Sequence, residues 1–285
     1  MDRFANRLII GLCSVLCILY SPSAWAWGYS STGETREDRV QLRMGADFTK
    51  KWNCGVRLSI AEELRFDLYD VQTGTYAKKS AAGTPLSADT TYGAAFEKSY
   101  TTINLAYHPI DYFKVDAGYT LRILGRKTNQ GADEFLRHRV FFGVTGMYTM
   151  RYAKLYVRER VVCDMRTDSV NLLEKNRYQW ELRSRIGAEF IVPGQPVKPY
   201  TYAELHNTLN APEYQRLYGR QYISKVRAQA GVKWRLTQKS SLDFYYRFTY
   251  GYDRDINITK TKQKIQLTEG KTYQHAIGIT YHFNY

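Results

Sequence analysis

Arginine recurs at every second position in several segments of the chain, and this spacing carries the clearest chemical signal in the sequence. The most regular pairs are Arg137 and Arg139, Arg158 and Arg160, and Arg183 and Arg185. Residues two apart on a β-strand point to the same face, so each pair projects from one side of its strand. Because guanidinium groups bind carboxylates and other oxyanions, such faces predict either internal ion pairs or a site for anions.

Acid–base chemistry has one candidate, the pair Glu204 and His206, whose side chains share a strand face. A histidine held by a carboxylate can transfer protons. No nucleophile motif, metal-binding motif or phosphate loop accompanies this pair in the sequence. We therefore expect a protein that is not an enzyme, with a lipid-modifying enzyme as the minority hypothesis. We expect no metal site and no cofactor.

The elements that carry these faces are eleven alternating segments, joined by connections that are short and long in turn. In the last segment Tyr273, Ile277 and Tyr281 share one face, and Gln274 and His282 share the other. This alternation, with short turns at one end and long loops at the other, is typical of bacterial outer-membrane barrels. It predicts an all-β, antiparallel, up-and-down transmembrane barrel of ten to twelve strands. The predicted strands are 39–49, 55–67, 96–108, 112–124, 136–148, 152–164, 176–191, 197–208, 222–236, 240–253 and 272–285.

The strand count is the least regular part of this prediction. Single-chain bacterial barrels have even counts, and an eleven-strand layout with a periplasmic C-terminus starts residue 39 on the outer side. Residues 27–38 must then pass through the membrane or the lumen. We favour twelve strands, with ten or a plugged eleven as alternatives. In this layout Cys54 and Cys163 lie near opposite rims, so both are predicted to be free thiols.

The N-terminal segment indicates export. Arg3 and Arg7 precede a largely apolar run over residues 8–20, and Ala24-Trp25-Ala26 follows, which is the pattern of a cleaved secretory signal peptide. This run is shorter than the roughly 20 residues that a spanning helix needs. We predict a signal peptide over residues 1–26 and one outer-membrane barrel domain over 27–285.

The net charge of the chain is +14, but its basic residues are spread evenly along the predicted strands and form no cluster. We therefore expect no nucleic-acid partner.

With the polar faces turned inward, the predicted lumen holds about twice as many basic as acidic residues. One hypothesis is a narrow, anion-leaning pore or a ligand-holding barrel whose partners are small anionic solutes. The alternative is an interior filled by arginine–carboxylate ladders, in a closed structural or surface-interaction barrel that acts through its extracellular loops. The candidate lumen-lining residues are Arg65, Arg122, Arg137, Arg139, Arg158, Arg160, Arg183, Arg185, Glu204, His206, Arg227 and Arg247.

Five short motifs stand in order within residues 40–285. They are Glu62-Glu63-Leu64-Arg65-Phe66, Arg137-His138-Arg139, Tyr156-Val157-Arg158-Glu159-Arg160, Pro199-Tyr200-Thr201-Tyr202-Ala203-Glu204 and Tyr245-Tyr246-Arg247. In order and spacing they resemble a family of small outer-membrane β-barrel proteins of Gram-negative Bacteroidota, catalogued as a domain of unknown function. One departure is Gly118-Tyr119-Thr120-Leu121-Arg122, because the family more usually places arginine directly after the tyrosine. The two-residue shift keeps Arg122 on the inward face.

The resemblance implies a barrel fold and an outer-membrane location, but no reaction and no substrate. The expected partners are outer-membrane lipid and, during insertion, the barrel-assembly machinery, because the strand that ends at Tyr285 resembles the signal that this machinery reads. The oligomeric state is left open.

Overall fold

The computed structural model describes residues 33–76, 89–125, 136–166, 177–210, 223–258 and 265–285. The predicted signal peptide, residues 1–26, lies outside the described residues. Residues 27–32, which the sequence predicts to begin the barrel domain, lie outside them as well. Within the described ranges, no helix is long and apolar enough to span a membrane.

The described residues form eleven β-strands, in which alternating polar and apolar side chains include many β-branched and aromatic residues. Several strands extend further than predicted: β2 ends at Tyr76 rather than near residue 67, and β3 begins at Asp89 rather than near residue 96. The strands are β1 Gly33–Lys51, β2 Val56–Tyr76, β3 Asp89–Ile110, β4 Phe113–Leu124, β5 Leu136–Thr149, β6 Ala153–Arg166, β7 Tyr178–Phe190, β8 Val197–Thr208, β9 Ile223–Arg235, β10 Ser240–Ile258 and β11 Ile265–Asn284.

The strands close into a barrel in chain order, and β1 pairs with β11. This closing pair runs parallel, from Gly33 beside Thr268 to Thr49 beside Asn284. Every other neighbouring pair of the described strands is antiparallel. A chain that reverses at each step of an odd-numbered ring brings its last strand back to the direction of its first.

The predicted all-β barrel is confirmed, and two of its details are corrected. The favoured twelve strands become eleven among the described residues, and the entirely antiparallel wall becomes one with a single parallel seam. Residues 33–38, which were expected to pass through the membrane or the lumen ahead of the first predicted strand, are the first part of β1. Their pairing with both β2 and β11 is a long-range property that local alternation does not encode.

The two ends of the barrel differ in their connections. At the turn rim the connections are 52–55, 111–112, 150–152, 191–196 and 236–239. At the loop rim they are 77–88, 125–135, 167–177, 209–222 and 259–264. Gly55 has a φ of 82°, and a Cβ there would lie 2.7 Å from the carbonyl oxygen of His108. The first turn therefore requires glycine.

The two faces of the barrel wall have opposite chemistry. Outward-facing side chains are largely apolar and exposed, and Ile186 and Ile277 reach 63% and 61% exposure. Inward-facing side chains include many buried polar and charged groups, among them Arg43, Asp116 and Glu204. Aromatic side chains surround the outer face near the turn rim; they are Tyr107, Tyr112, Tyr148, Tyr152, Trp234 and Tyr285.

Inward glycines make room for aromatic rings against the wall. Four described glycines each lie directly opposite a ring on the next strand, in the pairs Gly118 and Phe141, Gly187 and Tyr156, Gly231 and Tyr200, and Gly278 and Tyr245. A Cβ on any of these glycines would overlap the ring. The missing side chain therefore lets each ring lie flat beside the backbone.

Candidate functional site

The Glu204 carboxylate is held by four neighbouring side chains. Its Oε2 atom accepts hydrogen bonds from Arg158 Nη2 at 2.9 Å and from Arg185 Nε at 2.7 Å. Its Oε1 atom accepts one from Arg227 Nη1 at 2.7 Å and lies 2.9 Å from Nε2 of His206. Glu204 is only 1% exposed. We call these five residues the Glu204 cluster.

The register of four strands assembles the Glu204 cluster. Arg158 on β6 lies opposite Arg185 on β7, and Arg185 lies opposite Glu204 on β8. Glu204 in turn lies opposite Arg227 on β9. Like charges directly opposite each other destabilise a sheet. The shared carboxylate offsets this repulsion, so the row of arginines depends on one buried acid.

His206 joins the Glu204 cluster to a second acid. Its Nδ1 atom lies 3.4 Å from Oε2 of Glu181, and its Nε2 atom faces Glu204. Glu181 also accepts hydrogen bonds from Arg183 Nε and Nη2 at 2.9 and 2.7 Å. The imidazole is 2% exposed. The predicted histidine–carboxylate pair is therefore present, as a buried link between ion pairs that faces the barrel interior.

A second cluster, on β1, β2 and β10, has the same balance of charge but a looser geometry. Arg43 lies opposite Arg65, and both approach Glu63, whose Oε1 atom is 3.9 Å from Arg43 Nη1 and 2.6 Å from Arg65 Nη2. The charge of Arg247 also acts on Glu63. Arg247 Nε donates to the amide oxygen of Gln229 at 2.5 Å. We call Arg43, Glu63, Arg65 and Arg247 the Arg43 cluster.

The Arg43 guanidinium is poorly supplied with acceptors. Its Nη2 atom donates to the amide oxygens of Gln41 at 2.9 Å and Gln274 at 3.3 Å, which are both neutral. Its Nε and Nη1 atoms have no hydrogen-bond acceptor among the described residues. Arg43 is 0% exposed. A buried cation in this state is costly, and Arg43 is the one arginine of the described residues with two such unbonded nitrogen atoms.

Two further acids on the interior wall are already occupied. Asp164 accepts a two-point hydrogen bond from Arg139, at 2.5 and 2.8 Å, and lies 3.8 Å from Arg122. The buried Asp116 pairs with Arg160. The fork-shaped pair of Arg139 and Asp164 fixes both side chains in place. These arginines therefore behave as wall structure.

Guanidinium groups also lie over inward aromatic rings. Arg185 lies 3.8 Å from the ring centroid of Tyr202, and Arg160 lies 4.2 Å from that of Phe141. Phe141 itself lies against Gly118. The wall is thus layered locally as glycine, ring and cation, which holds the cation close to the wall and stabilises it electrostatically.

The structure places the twelve predicted lumen-lining residues on the inward faces of the strands. Arg65, Arg122, Arg139, Arg158, Arg160, Arg183, Arg185, Glu204, His206, Arg227 and Arg247 make the contacts given above, and Arg137 lies between Arg122 and Arg166 in register. Their role toward a solute stays a prediction. The two predicted free thiols are confirmed, with Cys54 exposed and Cys163 buried.

Two interior acids were missed by the sequence prediction, for different reasons. Asp164 lies on the inward face of β6, and continuing the alternation along that strand would have included it. Glu97 is only 3% exposed although simple alternation assigns it to the outer face. Lys98 lies opposite Arg65 and Phe96 lies opposite Phe66, so Glu97 is the extra residue of a bulge in β3 that turns its side chain inward.

Two acids on the outer face are held by hydroxyl groups. Glu62 accepts a hydrogen bond from Thr101 at 2.5 Å, and Glu159 accepts one from Ser184 at 2.6 Å. In each case the donor lies directly opposite on the next strand. Both carboxylates are therefore partly satisfied along the wall itself.

The described residues contain no group of three or more histidine, cysteine, aspartate or glutamate side chains that could hold a metal ion.

Comparison with known proteins gives a family match and distant structural likenesses. The model of a family described as proteins of unknown function (DUF2490) matches residues 88–259. No curated protein matches the chain. A solved structure described as the NanC porin in a rhombohedral crystal form is similar over 84% of this chain and 97% of that chain, with 9% identity and a TM-score of 0.39. The barrel described above rests on its own strand pairing and not on this likeness.

Proposed function

The chain belongs to the DUF2490 family of proteins of unknown function, and we propose, from the geometry of its interior, an outer-membrane barrel that passes or holds small anions. The predicted membership of a family of unknown function is thereby confirmed. The assignment to Bacteroidota stays a prediction. In this proposal lipid contacts the outer face, and the barrel-assembly machinery inserts the exported chain.

The membrane location is supported by the outer face. Exposed apolar side chains such as Phe142, Ile186 and Ile277 would be unfavourable in water over so wide a surface. A belt of tyrosine and tryptophan near the turn rim suits the boundary between hydrocarbon and headgroups. Heat-modifiable gel migration of outer-membrane extracts tests this location. Recovery of the whole protein from the soluble periplasmic fraction would contradict it.

The anion preference rests on one observation, the three guanidiniums that converge on the single Glu204 carboxylate. One negative charge cannot neutralise three positive ones, and the excess lies in an enclosed interior where screening by water is weak. A confined basic passage attracts anions and repels cations. The interior is therefore better suited to anionic than to cationic solutes.

The test is the reversal potential of the purified protein in a planar bilayer under a KCl gradient. We expect the sign that corresponds to chloride preference. Arg247→Gln should reduce that preference, because Arg247 is bonded to a neutral amide and its positive charge acts on the interior. Arg235→Gln, at the exposed turn-rim end of β9, is the matched control and should leave it unchanged. Cation preference, or no conductance at all, would count against a pore.

A closed structural or surface-interaction barrel is the second candidate, and the tight burial of the interior favours it. Arg43, Gln41 and Glu204 have almost no accessible surface, as expected of side chains that fill a small barrel. This candidate would be supported by two results together: no conductance in the planar bilayer, and loss of partner binding at the cell surface after deletion of residues 77–88 and 259–264. Chloride current through the intact protein would exclude it.

A lipid-modifying enzyme is the third and weakest candidate. Its one named site, Glu204 and His206, faces the barrel interior, away from the surface that would meet lipid. Unchanged lipid composition in cells that carry Glu204→Gln and His206→Gln would dispose of it.

A further inference from the structure

The Arg43 cluster carries more positive charge than its own acids balance. Among its described members, Arg43 and Arg65 lie 3.9 and 2.6 Å from the single carboxylate of Glu63, and the positive charge of Arg247 acts on the same carboxylate. The difference, three minus one, is two positive charges. Arg227 of the neighbouring Glu204 cluster adds to the field at Arg43. The surplus therefore lies between the two clusters.

Small residues separate the cations of this cluster. Arg43 lies opposite Gly278 on β11, and Arg247 lies opposite Ala276 on the same strand. The ring of Tyr245 lies over Gly278, and Arg247 lies 5.1 Å from the centroid of that ring. Arg43 and Arg247 therefore flank β11 on its inward face, with the Tyr245 ring beside them.

Two donors of the Arg43 cluster, Nε and Nη1 of a fully buried side chain, have no acceptor among the described residues. Guanidinium groups from several strands are suited to an oxyanion, because its oxygens accept hydrogen bonds in several directions at once. A halide offers one acceptor atom. We propose that the Arg43 cluster binds a compact, doubly charged oxyanion of the phosphate or sulfate type.

This inference deepens the proposed anion preference and rests on it, but it concerns binding at one place. It requires neither an open pore nor passage of the anion. A dianion in contact with Arg43 and Arg247 supplies the two negative charges that the cluster lacks and accepts from the unpaired donors.

Calorimetric titration of the full-length barrel in detergent with sodium phosphate tests the proposal, with chloride used to keep ionic strength constant. We expect saturable binding by the parent protein, weakened about tenfold or more in Arg43→Gln, since one charge-assisted contact is lost. Arg43→Lys keeps the charge but not the fork and should bind with intermediate affinity. Sulfate should compete with phosphate.

Arg57→Gln is the matched control, because Arg57 is another inward arginine of β2 and lies outside the cluster. It should bind phosphate like the parent protein. Equal affinity in Arg43→Gln and the parent, or no saturable heat in the parent, would overturn the site. Heat-modifiable migration verifies that each variant is folded.

The site and the proposed function fail separately. Phosphate binding that depends on Arg43 in a barrel without chloride preference would leave the site standing and remove the anion-selective pore. Chloride preference without saturable phosphate binding would leave the anion-selective pore standing and remove the phosphate site.

Discussion

The Glu204 cluster and the Arg43 cluster contain similar residues in opposite states. In the first, one carboxylate accepts from three arginines and lies beside a histidine, so the acid is fully used. In the second, Arg43 has two donors without acceptors and its bonded partners are neutral amides. The Nε atoms of Arg158 and Arg227 also lack acceptors, so the clusters differ in that Arg43 has two unbonded donors and no carboxylate oxygen within hydrogen-bonding distance.

The difference comes from register rather than from composition. Direct opposition places Arg185 and Arg227 on either side of Glu204. On β1 and β2 the residue opposite Arg43 is another arginine, and Glu63 lies one step further along the same face of β2. An offset of two residues is enough to change a tight ion pair into a contact of 3.9 Å.

Glu204→Gln should give the largest loss of stability. It leaves three buried guanidiniums without their shared carboxylate, and removing one partner of a buried ion pair costs about 3 to 5 kcal/mol. The free energy of unfolding in urea, measured on protein reconstituted in lipid vesicles, reports the effect. Glu189→Gln is the control, because its partner Lys233 is 3.3 Å away and partly exposed. Equal free energies of unfolding for Glu204→Gln and the parent would show that this cluster does not stabilise the fold.

Gly278→Ala should have an intermediate effect, localised beside Arg43. The added methyl group overlaps the Tyr245 ring and drives it toward Arg247, which lies 5.1 Å from the ring centroid. Overpacking of this kind costs about 1 to 3 kcal/mol. Gly251→Ala is the matched control on β10, since the nearest atom to its added Cβ is 3.4 Å away. The same urea titration should separate the two variants, and equal losses would contradict the packing argument.

Arg43→Gln should have the smallest effect on stability, less than about 1 kcal/mol in either direction, because replacing an uncompensated buried charge by a neutral group is often tolerated. The measurement is urea unfolding in phosphate-free buffer. A loss as large as that of Glu204→Gln would show that the two clusters are alike, and the comparison between them would collapse.

Much of this wall follows from the amino-acid sequence, because alternation is local. The inward position of arginines such as Arg158, Arg185 and Arg247 depends only on counting along one strand. The turn rim was equally predictable from short connections that contain glycine, such as the one at Gly55. The ion-pair partners of these arginines were harder to predict, because contact between Arg158 and Glu204 depends on the registers of two strand pairs.

Alternation fails where the backbone departs from it. Glu97 is inward because it is the extra residue of a bulge in its own strand, β3, which interrupts the alternation. Eleven strands were visible in the sequence, but the rule of even counts favoured twelve. The parallel pair that closes an eleven-strand barrel could not be predicted from local alternation, because it joins residues as distant in the chain as Gly45 and Thr280. The unbonded donors of Arg43 likewise depend on side-chain positions from three strands.

The parallel pairing of β1 with β11 also places the start of the first strand and the end of the last strand at opposite rims of the barrel. Strand β1 begins at the loop rim with Gly33, whereas β11 ends at the turn rim, where the backbone N–H of Tyr285 donates to the carbonyl oxygen of Thr49. In the proposed outer-membrane orientation, a peptide fused ahead of β1 would be displayed outside the cell, and one fused after Tyr285 would remain in the periplasm. An even-stranded barrel would present both fusions to the same compartment.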